Sequence, residues 1–214
     1  MASLSEGKLR PSLLTRGIRL ELFTIGYNAI EGFVAIGAGY LAGSIALVGF
    51  GLDSLIEITA GAALLWRLKK EARLGHAITD DDHSKIERRA SYVVGLTFFA
   101  LALYILFESG WKLLTGAEAQ ESTLGIIVAA LSLAVMPFLA ISKQRVAKAL
   151  GSRSLASDAM ETWVCTYLSL VLLIGLGFNA AFGWSWADPL AALAMLPLII
   201  KEGWEALEDA KEDE

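Results

Sequence analysis

Long apolar runs alternate with short polar segments along the whole chain. Residues 122–142 carry no charge, residues 90–111 carry one acid, and residues 154–187 carry two acids and no base. A helix of about 20 mostly apolar residues spans the hydrocarbon core of a bilayer. The pattern therefore predicts six transmembrane helices, at residues 20–41, 44–66, 89–113, 122–142, 155–179 and 187–207.

The composition also indicates a membrane protein. Apolar residues make up 55% of the 214 residues, charged residues make up 19%, and the mean hydropathy is +0.55. A soluble globular domain is less apolar and about a quarter charged. We expect an integral, multi-pass protein of a bacterial cytoplasmic membrane. The sequence has no basic stripe that would indicate nucleic acid, so nucleic acid is not expected as a partner.

The basic residues predict the direction of the helices. Of the 18 Lys and Arg residues, all except Lys112 lie in segments that six crossings place on one side. Because Lys and Arg accumulate in cytoplasmic loops, both termini are predicted to be cytoplasmic. The chain then divides into a cytoplasmic segment 1–19, a transmembrane domain 20–207 with a cytoplasmic loop 67–88, and an acidic tail 208–214. No C-terminal cytoplasmic domain is expected.

Two acids interrupt the second apolar run, in the string FGLDSLIEITAG at residues 50–61. Asp53 and Glu57 are four residues apart, so they share one helix face. An ionisable side chain at the bilayer centre costs at least ~2.5–3.5 kcal/mol, and such residues usually face the bundle interior and mark ion paths. The two acids are therefore candidate ligands of a transported cation.

Glu161 and Cys165 repeat this spacing in the fifth run, so two helices each present two possible ligands on one face. If the faces oppose each other, they form a four-ligand cluster. The sequence places no basic residue at this depth, so the carboxylates must hold a cation or protons. We expect Zn²⁺ as the ion, with Mn²⁺, Fe²⁺, Co²⁺ and Cd²⁺ as alternatives, because carboxylate and thiolate ligands suit these metals.

Other interpretations of these polar residues stay open. Asn28 and Glu31 share a face of the first helix and could line the metal path or bond this helix to a neighbour. Cys165 is either a ligand or a small buried apolar residue. The intramembrane acids as a group could also be protonated and form only structural hydrogen bonds.

Three strings together resemble the cation diffusion facilitator family of metal/proton antiporters. They are AGSIALVGFGLDSLIE in the second run, SDAMETWVC in the fifth and ADPLAALAMLPLIIKEGWEALED in the sixth. The resemblance covers almost the whole chain. It implies an all-α polytopic membrane protein with the cation-efflux transmembrane fold, six transmembrane helices and both termini cytoplasmic.

The resemblance places Asp53 and Glu57 at the two ligand positions of the second helix, and Glu161 and Cys165 at those of the fifth. It implies that Asp158 supports these ligands or lies at the entrance of the metal path. The family commonly uses Asp and His as ligands, whereas this chain has Glu twice and Cys165 where an Asp is usual. Glu31 could supply a missing ligand.

The family also implies features outside the helices. The string ITDDDHSKIERRA resembles a second metal site in a cytoplasmic loop, where Asp80 and His83 match two ligands and a further His is missing. Members generally form homodimers, and we expect a homodimer made by helix contacts, most of all through the third helix. Members usually carry a cytoplasmic domain after the sixth helix, and the chain that remains here is too short for one.

The sequence therefore predicts a secondary transporter that exports a divalent transition-metal cation from the cytoplasm in exchange for protons. Its partners would be the metal ion, protons, the lipid bilayer and a second copy of the chain, with no cofactor. The alternative is a non-transporting helical scaffold or receptor whose acids pair structurally. An enzyme is not expected, because the sequence offers no arrangement of a nucleophile with a general base.

Overall fold

The computed structural model describes residues 2–74 and 84–212, and the side chains of residues 10–74, 91–208, 210 and 211. Within these ranges the chain forms helices and turns, with no strand. The helices are α1 (Ala2–Ala42), α2 (Ile45–Leu74), α3 (Ser84–Thr115), α4 (Thr123–Leu150), α5 (Arg153–Phe182) and α6 (Ala187–Glu212). Each predicted apolar run falls on one of them.

The helices extend beyond the apolar runs at their polar ends. α1 begins at Ala2 rather than at residue 20, and α4 continues to Leu150 rather than to residue 142. Hydropathy indicates where the membrane ends, whereas a helix ends where its backbone bonding is interrupted. For α4 this happens at Gly151, whose left-handed φ of 68° is a common helix C-cap conformation.

Five of the described helices, α1 to α5, are long and apolar enough to cross a membrane. α6 has 26 residues and is apolar at 189–200, but it carries charges from Lys201 onward. This arrangement confirms the predicted all-helical polytopic fold.

The helices pack mainly as three pairs, α1 with α2, α4 with α5, and α3 with α6. The first two pairs contact each other through α1–α4 and α2–α5, and α3 and α6 pack on α2 and α5. The α1–α2 pair is close because Gly39 has no side chain. A Cβ on Gly39 would lie 2.7 Å from Val48 Cγ2 and 2.8 Å from the Val48 backbone nitrogen.

Asp188 of α6 joins the helix ends on the side predicted to face outward. The Ser44 hydroxyl donates a hydrogen bond to Asp188 Oδ1 at 2.5 Å, and the Ile45 backbone N–H donates to Oδ2 at 2.8 Å. Asp188 is fully buried. Its carboxylate thus satisfies one of the backbone N–H groups that the start of α2 leaves without a partner inside the helix.

The opposite end, predicted to face the cytoplasm, contains a buried ion-pair triad. Lys143 Nζ of α4 lies 2.6 Å from Asp158 Oδ2 of α5 and 3.1 Å from Glu21 Oε1 of α1. Lys143 and Glu21 have exposed side-chain fractions of 1% and 0%. The expectation that no basic residue pairs with the intramembrane acids is therefore wrong for Asp158. Lys143 lies on the buried face of α4, just beyond the end of the apolar run.

Two further contacts connect the helices at this end. Arg10 of α1 forms an ion pair with Glu71 of α2 at 2.5 Å, and Arg67 of α2 donates a hydrogen bond to Ser154 of α5. Apolar side chains fill the space between these polar contacts. They are Leu14, Leu64, Leu68, Val146, Ala147, Leu150 and Leu155.

We predict that Asp188→Ala destabilises the protein, because it leaves the Ser44 hydroxyl and the Ile45 N–H without their acceptor. The free energy of unfolding, measured by denaturation in mixed detergent micelles, should fall by ~1–3 kcal/mol. Glu118→Ala removes an exposed carboxylate near the same end and should change it by less than ~0.5 kcal/mol. Equal stability of the two variants would contradict the role of Asp188.

We predict a larger loss for Lys143→Met, because this change leaves the buried carboxylates of Glu21 and Asp158 without a counter-charge. Breaking a buried ion pair by removing one partner costs ~3–5 kcal/mol. The matched control is Lys148→Met, which changes an exposed lysine of the same helix. If both variants unfold at the same detergent or denaturant midpoint, the triad does not stabilise the bundle.

Candidate metal centre

α2 carries the two acids that begin the site. Asp53 and Glu57 lie on one face of an uninterrupted helix, one turn apart. Asp53 has an exposed fraction of 3%, and Glu57 is half-buried. This face is directed towards the interior of the bundle, as the sequence predicts.

α5 brings the thiol of Cys165 to the same place. One ligand atom from each of Asp53, Glu57 and Cys165 can be chosen so that all three lie within 4.8 Å of one another. We call these three residues the metal cluster. A tetrahedral Zn²⁺ site with metal–ligand distances of 2.0–2.3 Å needs ligand atoms about 3.3–3.8 Å apart. Small side-chain movements would therefore close the cluster around an ion.

Glu161 lies beside the metal cluster without joining the group of three. It lines a small cavity of about 10 Å³ together with Asp53 and Glu57, which is close to the room of one water molecule. Glu202 of α6 lines the same cavity and has an exposed fraction of 8%. Four carboxylates thus surround one small space between α2, α3, α5 and α6. They cannot all be ionised there unless a cation compensates them.

α1 contributes the two polar residues that the sequence placed on one face. The Asn28 Nδ2 amide donates a hydrogen bond to Glu57 Oε2 at 2.5 Å, and Asn28 is fully buried. This bond fixes one oxygen of Glu57 and orients the other. Glu31 accepts a hydrogen bond from the Ser54 hydroxyl at 3.0 Å, so it lies next to α2 but not within the group of three ligands.

The remaining predicted site residues lie elsewhere. Asp158 forms the ion pair with Lys143 and does not belong to the metal cluster. Asp80 and His83, the predicted loop site, lie outside the described residues. The site in the loop therefore stays a prediction.

Glu202 was missed by the sequence interpretation, which assigned the charged part of the sixth helix to its cytoplasmic end. A signal was present. The buried side chains of α6 recur at Ala192, Met195 and Ile199, and Glu202 comes next at the same helical spacing. An acid that continues a buried stripe is directed inward even where its sequence neighbours are polar.

The chain is similar to known membrane proteins along most of its length. The family described as the cation efflux transmembrane domain matches residues 22–213. The cadmium, cobalt and zinc/H(+)-K(+) antiporter of Bacillus subtilis is 25% identical over 203 residues, covering 91% of this chain and 63% of that protein. The magnetosome protein MamB of Magnetospira sp. is 27% identical over 186 residues, covering 87% of this chain and 62% of that protein.

A third relative matches this chain over a shorter segment. The cation-efflux pump FieF of Shewanella oneidensis is 25% identical over 123 residues, covering 58% of this chain and 41% of that protein. The chain thus spans between 41% and 63% of the length of these three relatives. The family match, by contrast, covers nearly all of the chain, from the middle of α1 to the end of α6. From this match and the helical bundle it covers, the chain belongs to the cation efflux family of membrane transporters, the cation diffusion facilitators, and carries the family's transmembrane domain.

Proposed function

We propose that this chain exports a divalent transition-metal cation, Zn²⁺ in the first place, from the cytoplasm in exchange for protons. The observation that carries the proposal is the metal cluster, three ligand atoms within 4.8 Å inside a membrane bundle. The name of the Bacillus subtilis relative supports cadmium, cobalt and zinc as cargo and proton exchange as the coupling. Cys165 favours the softer members of this group, Zn²⁺ and Cd²⁺.

Proton exchange follows from the chemistry of the ligands. Carboxylates and thiols bind a metal in their deprotonated forms, so metal binding releases protons and acid weakens it. In the metal-free state the acids around the cavity are neutralised by protons. Glu161 and Glu202 are placed to offer a further oxygen ligand or to keep a proton while the metal cluster holds the ion.

The packing suggests how access could alternate. α3 and α6 contact each other more extensively than either of them contacts any other helix. Val94 and Phe98 of α3 line the cavity beside the metal cluster. A shift of the α3–α6 pair against α2 and α5 would therefore open or close the path to the cavity. The ion-pair triad would hold the cytoplasmic end closed in the conformation described here.

The predicted homodimer remains part of the proposal. α3 presents large apolar side chains outward, and Leu96, Leu103 and Phe107 each have an exposed fraction of 69%. In a membrane this face contacts lipid or a second copy of the chain. The loop site of Asp80 and His83 would add a place where the metal binds before it enters the bundle.

We predict that a pH gradient drives Zn²⁺ transport by the wild-type protein in proteoliposomes, in exchange for protons. Asp53→Asn should slow this flux by at least tenfold. Loss of one charged ligand should cost at least 1.4 kcal/mol of binding free energy, which is a factor of about ten. The flux is measured with a metal-sensitive dye and the proton movement with a pH-sensitive dye. The control is Glu118→Gln, which changes an exposed carboxylate and should transport at the wild-type rate.

Two outcomes would contradict the proposal, at different levels. If Asp53→Asn transports as fast as wild type, the metal does not pass through the metal cluster. If the wild type moves none of Zn²⁺, Cd²⁺, Co²⁺, Mn²⁺ and Fe²⁺, the chain as given is not a metal transporter.

A further inference from the structure

A second group of buried polar residues lies beside the metal cluster, where α1, α2 and α4 meet. Glu31 has an exposed fraction of 4%, and Ser54 and Ser132 have exposed fractions of 0%. Ser54 donates its hydrogen bond to Glu31 Oε2 at 3.0 Å. The side chains of Ser132 and Tyr27 also approach the Glu31 carboxylate.

Three buried oxygens in this region have no hydrogen-bond partner. They are Glu31 Oε1, Ser132 Oγ and Asn28 Oδ1. A buried polar atom without a partner costs ~1–3 kcal/mol, so it is uncommon in a folded protein unless something else occupies its place. Three such atoms on neighbouring helices indicate that a ligand with a positive charge or a proton completes this region.

We propose that Asn28, Glu31, Ser54 and Ser132 form a second cation site, the Glu31 site, which binds one monovalent cation as the counter-ion of transport. This inference rests on the proposed function and assigns the exchanged ion to particular residues. The positive charge is supplied to Glu31 as a proton or as an alkali-metal ion. Both neutralise one carboxylate and both use the free oxygens of Glu31 and Ser132.

The ligand atoms of the Glu31 site explain why it would bind a monovalent cation. Its one ionisable ligand is Glu31, and the other donors are hydroxyl and amide oxygens. In a medium of low dielectric, one positive charge balances one carboxylate, whereas a divalent ion would leave an uncompensated charge. The metal cluster differs in both respects, since it has two carboxylates and a soft thiol. Hard oxygen donors suit alkali ions, and thiolate suits transition metals.

The Glu31 site adjoins the metal cluster, and the Ser132 side chain approaches both Glu31 and Cys165. Glu31 does not belong to the group of three ligands, nor does it line the cavity with Glu161. The titratable groups that act electrostatically on or with Glu31 are Tyr27, Asp53, Glu57 and Cys165. Two cations held at neighbouring buried sites repel each other strongly in low dielectric. Occupation of one site would therefore expel the ion from the other, which is the condition for exchange.

Asn28 connects the two sites physically. Its Nδ2 donates to Glu57 of the metal cluster, and its free Oδ1 lies on the helix face of Glu31. If a metal draws Glu57 towards Asp53 and Cys165, the Asn28 amide must shift or lose its bond. The orientation of its oxygen changes with it.

The test compares wild type with Glu31→Gln in two measurements. The first is Zn²⁺ binding to the purified protein in detergent, by calorimetry. The second is Zn²⁺ flux in proteoliposomes with an opposing gradient of pH, of KCl or of NaCl in separate arms. Glu108→Gln is the control, since it removes an acid from α3, which contributes nothing to the Glu31 site.

We expect Glu31→Gln to bind Zn²⁺ within about threefold of wild type, less than the tenfold loss expected for a ligand. The gradient that accelerates wild type and Glu108→Gln should accelerate its flux less, because the metal cluster still exchanges its own protons but the Glu31 site no longer contributes. The gradient whose acceleration of the flux falls in Glu31→Gln identifies the counter-ion. A pH gradient identifies a proton, and a KCl or NaCl gradient identifies an alkali ion. Glu31→Asp should restore part of the response.

Two results would overturn the assignment. A tenfold or greater loss of Zn²⁺ affinity in Glu31→Gln would make Glu31 a ligand of the metal cluster. An unchanged gradient response would remove Glu31 from the exchange. Binding of ⁸⁶Rb⁺ or ²²Na⁺, and the number of protons released on addition of Zn²⁺, are compared between wild type and Glu31→Gln in detergent, without transport, and a smaller value in Glu31→Gln supports the site. They decide the Glu31 site even if wild type moves no metal, in which case only the transport proposal fails.

Discussion

The bundle must neutralise carboxylates that it buries in a medium of low dielectric. An ionised acid inside a membrane is costly unless a cation accompanies it. The chain meets this requirement in two ways. Near the end predicted to be cytoplasmic, Lys143 supplies one positive charge that Glu21 and Asp158 share. Around the metal cluster and its cavity the described lining residues include no Lys or Arg, so the compensating charge there is a metal ion or protons.

The buried charges that hold the helices together are therefore different from those that bind the transported ion. The Lys143 triad joins α1, α4 and α5 in this conformation without an external ion, because its cation is covalently part of the chain. Asp53, Glu57 and Cys165 hold a place that an ion can enter and leave. Asp188 at the other end is satisfied by hydrogen bonds to Ser44 and Ile45, so it needs no ion. The exchangeable charge is thereby confined to the middle of the bundle, between two ends whose contacts need no external ion.

Much of this arrangement could be predicted from the sequence. Apolar runs and basic loops indicate six helices because their length and charge are dictated by the bilayer. The spacing of Asp53 and Glu57 places them on one face because helix geometry leaves no other choice. The meeting of Cys165 with these acids was also expected, although no sequence rule fixes how two helix faces are rotated against each other.

Other features could not be read in the same way. Lys143 lies beyond the fourth apolar run and Glu202 lies in the charged part of the sixth, and hydropathy assigns such residues to water. These residues are buried because α4 and α6 continue past the membrane border, and there the inward-facing sides of the two helices carry charged residues. The family resemblance assigned Asp158 to the support of the ligands or to the entrance of the metal path, and it gave no sign of the ion pair with Lys143. Pairing between helices requires the rotation and depth of both, which single-helix periodicity does not contain.

The central claim is that the transported metal is held by two carboxylates of α2 and the thiol of Cys165. X-ray absorption at the metal edge of the Zn²⁺-loaded protein tests it most directly. The account predicts one sulfur at about 2.3 Å with oxygen ligands at about 2.0–2.2 Å, and loss of the sulfur signal in Cys165→Ser. A spectrum with oxygen or nitrogen ligands alone, identical in wild type and Cys165→Ser, would contradict it.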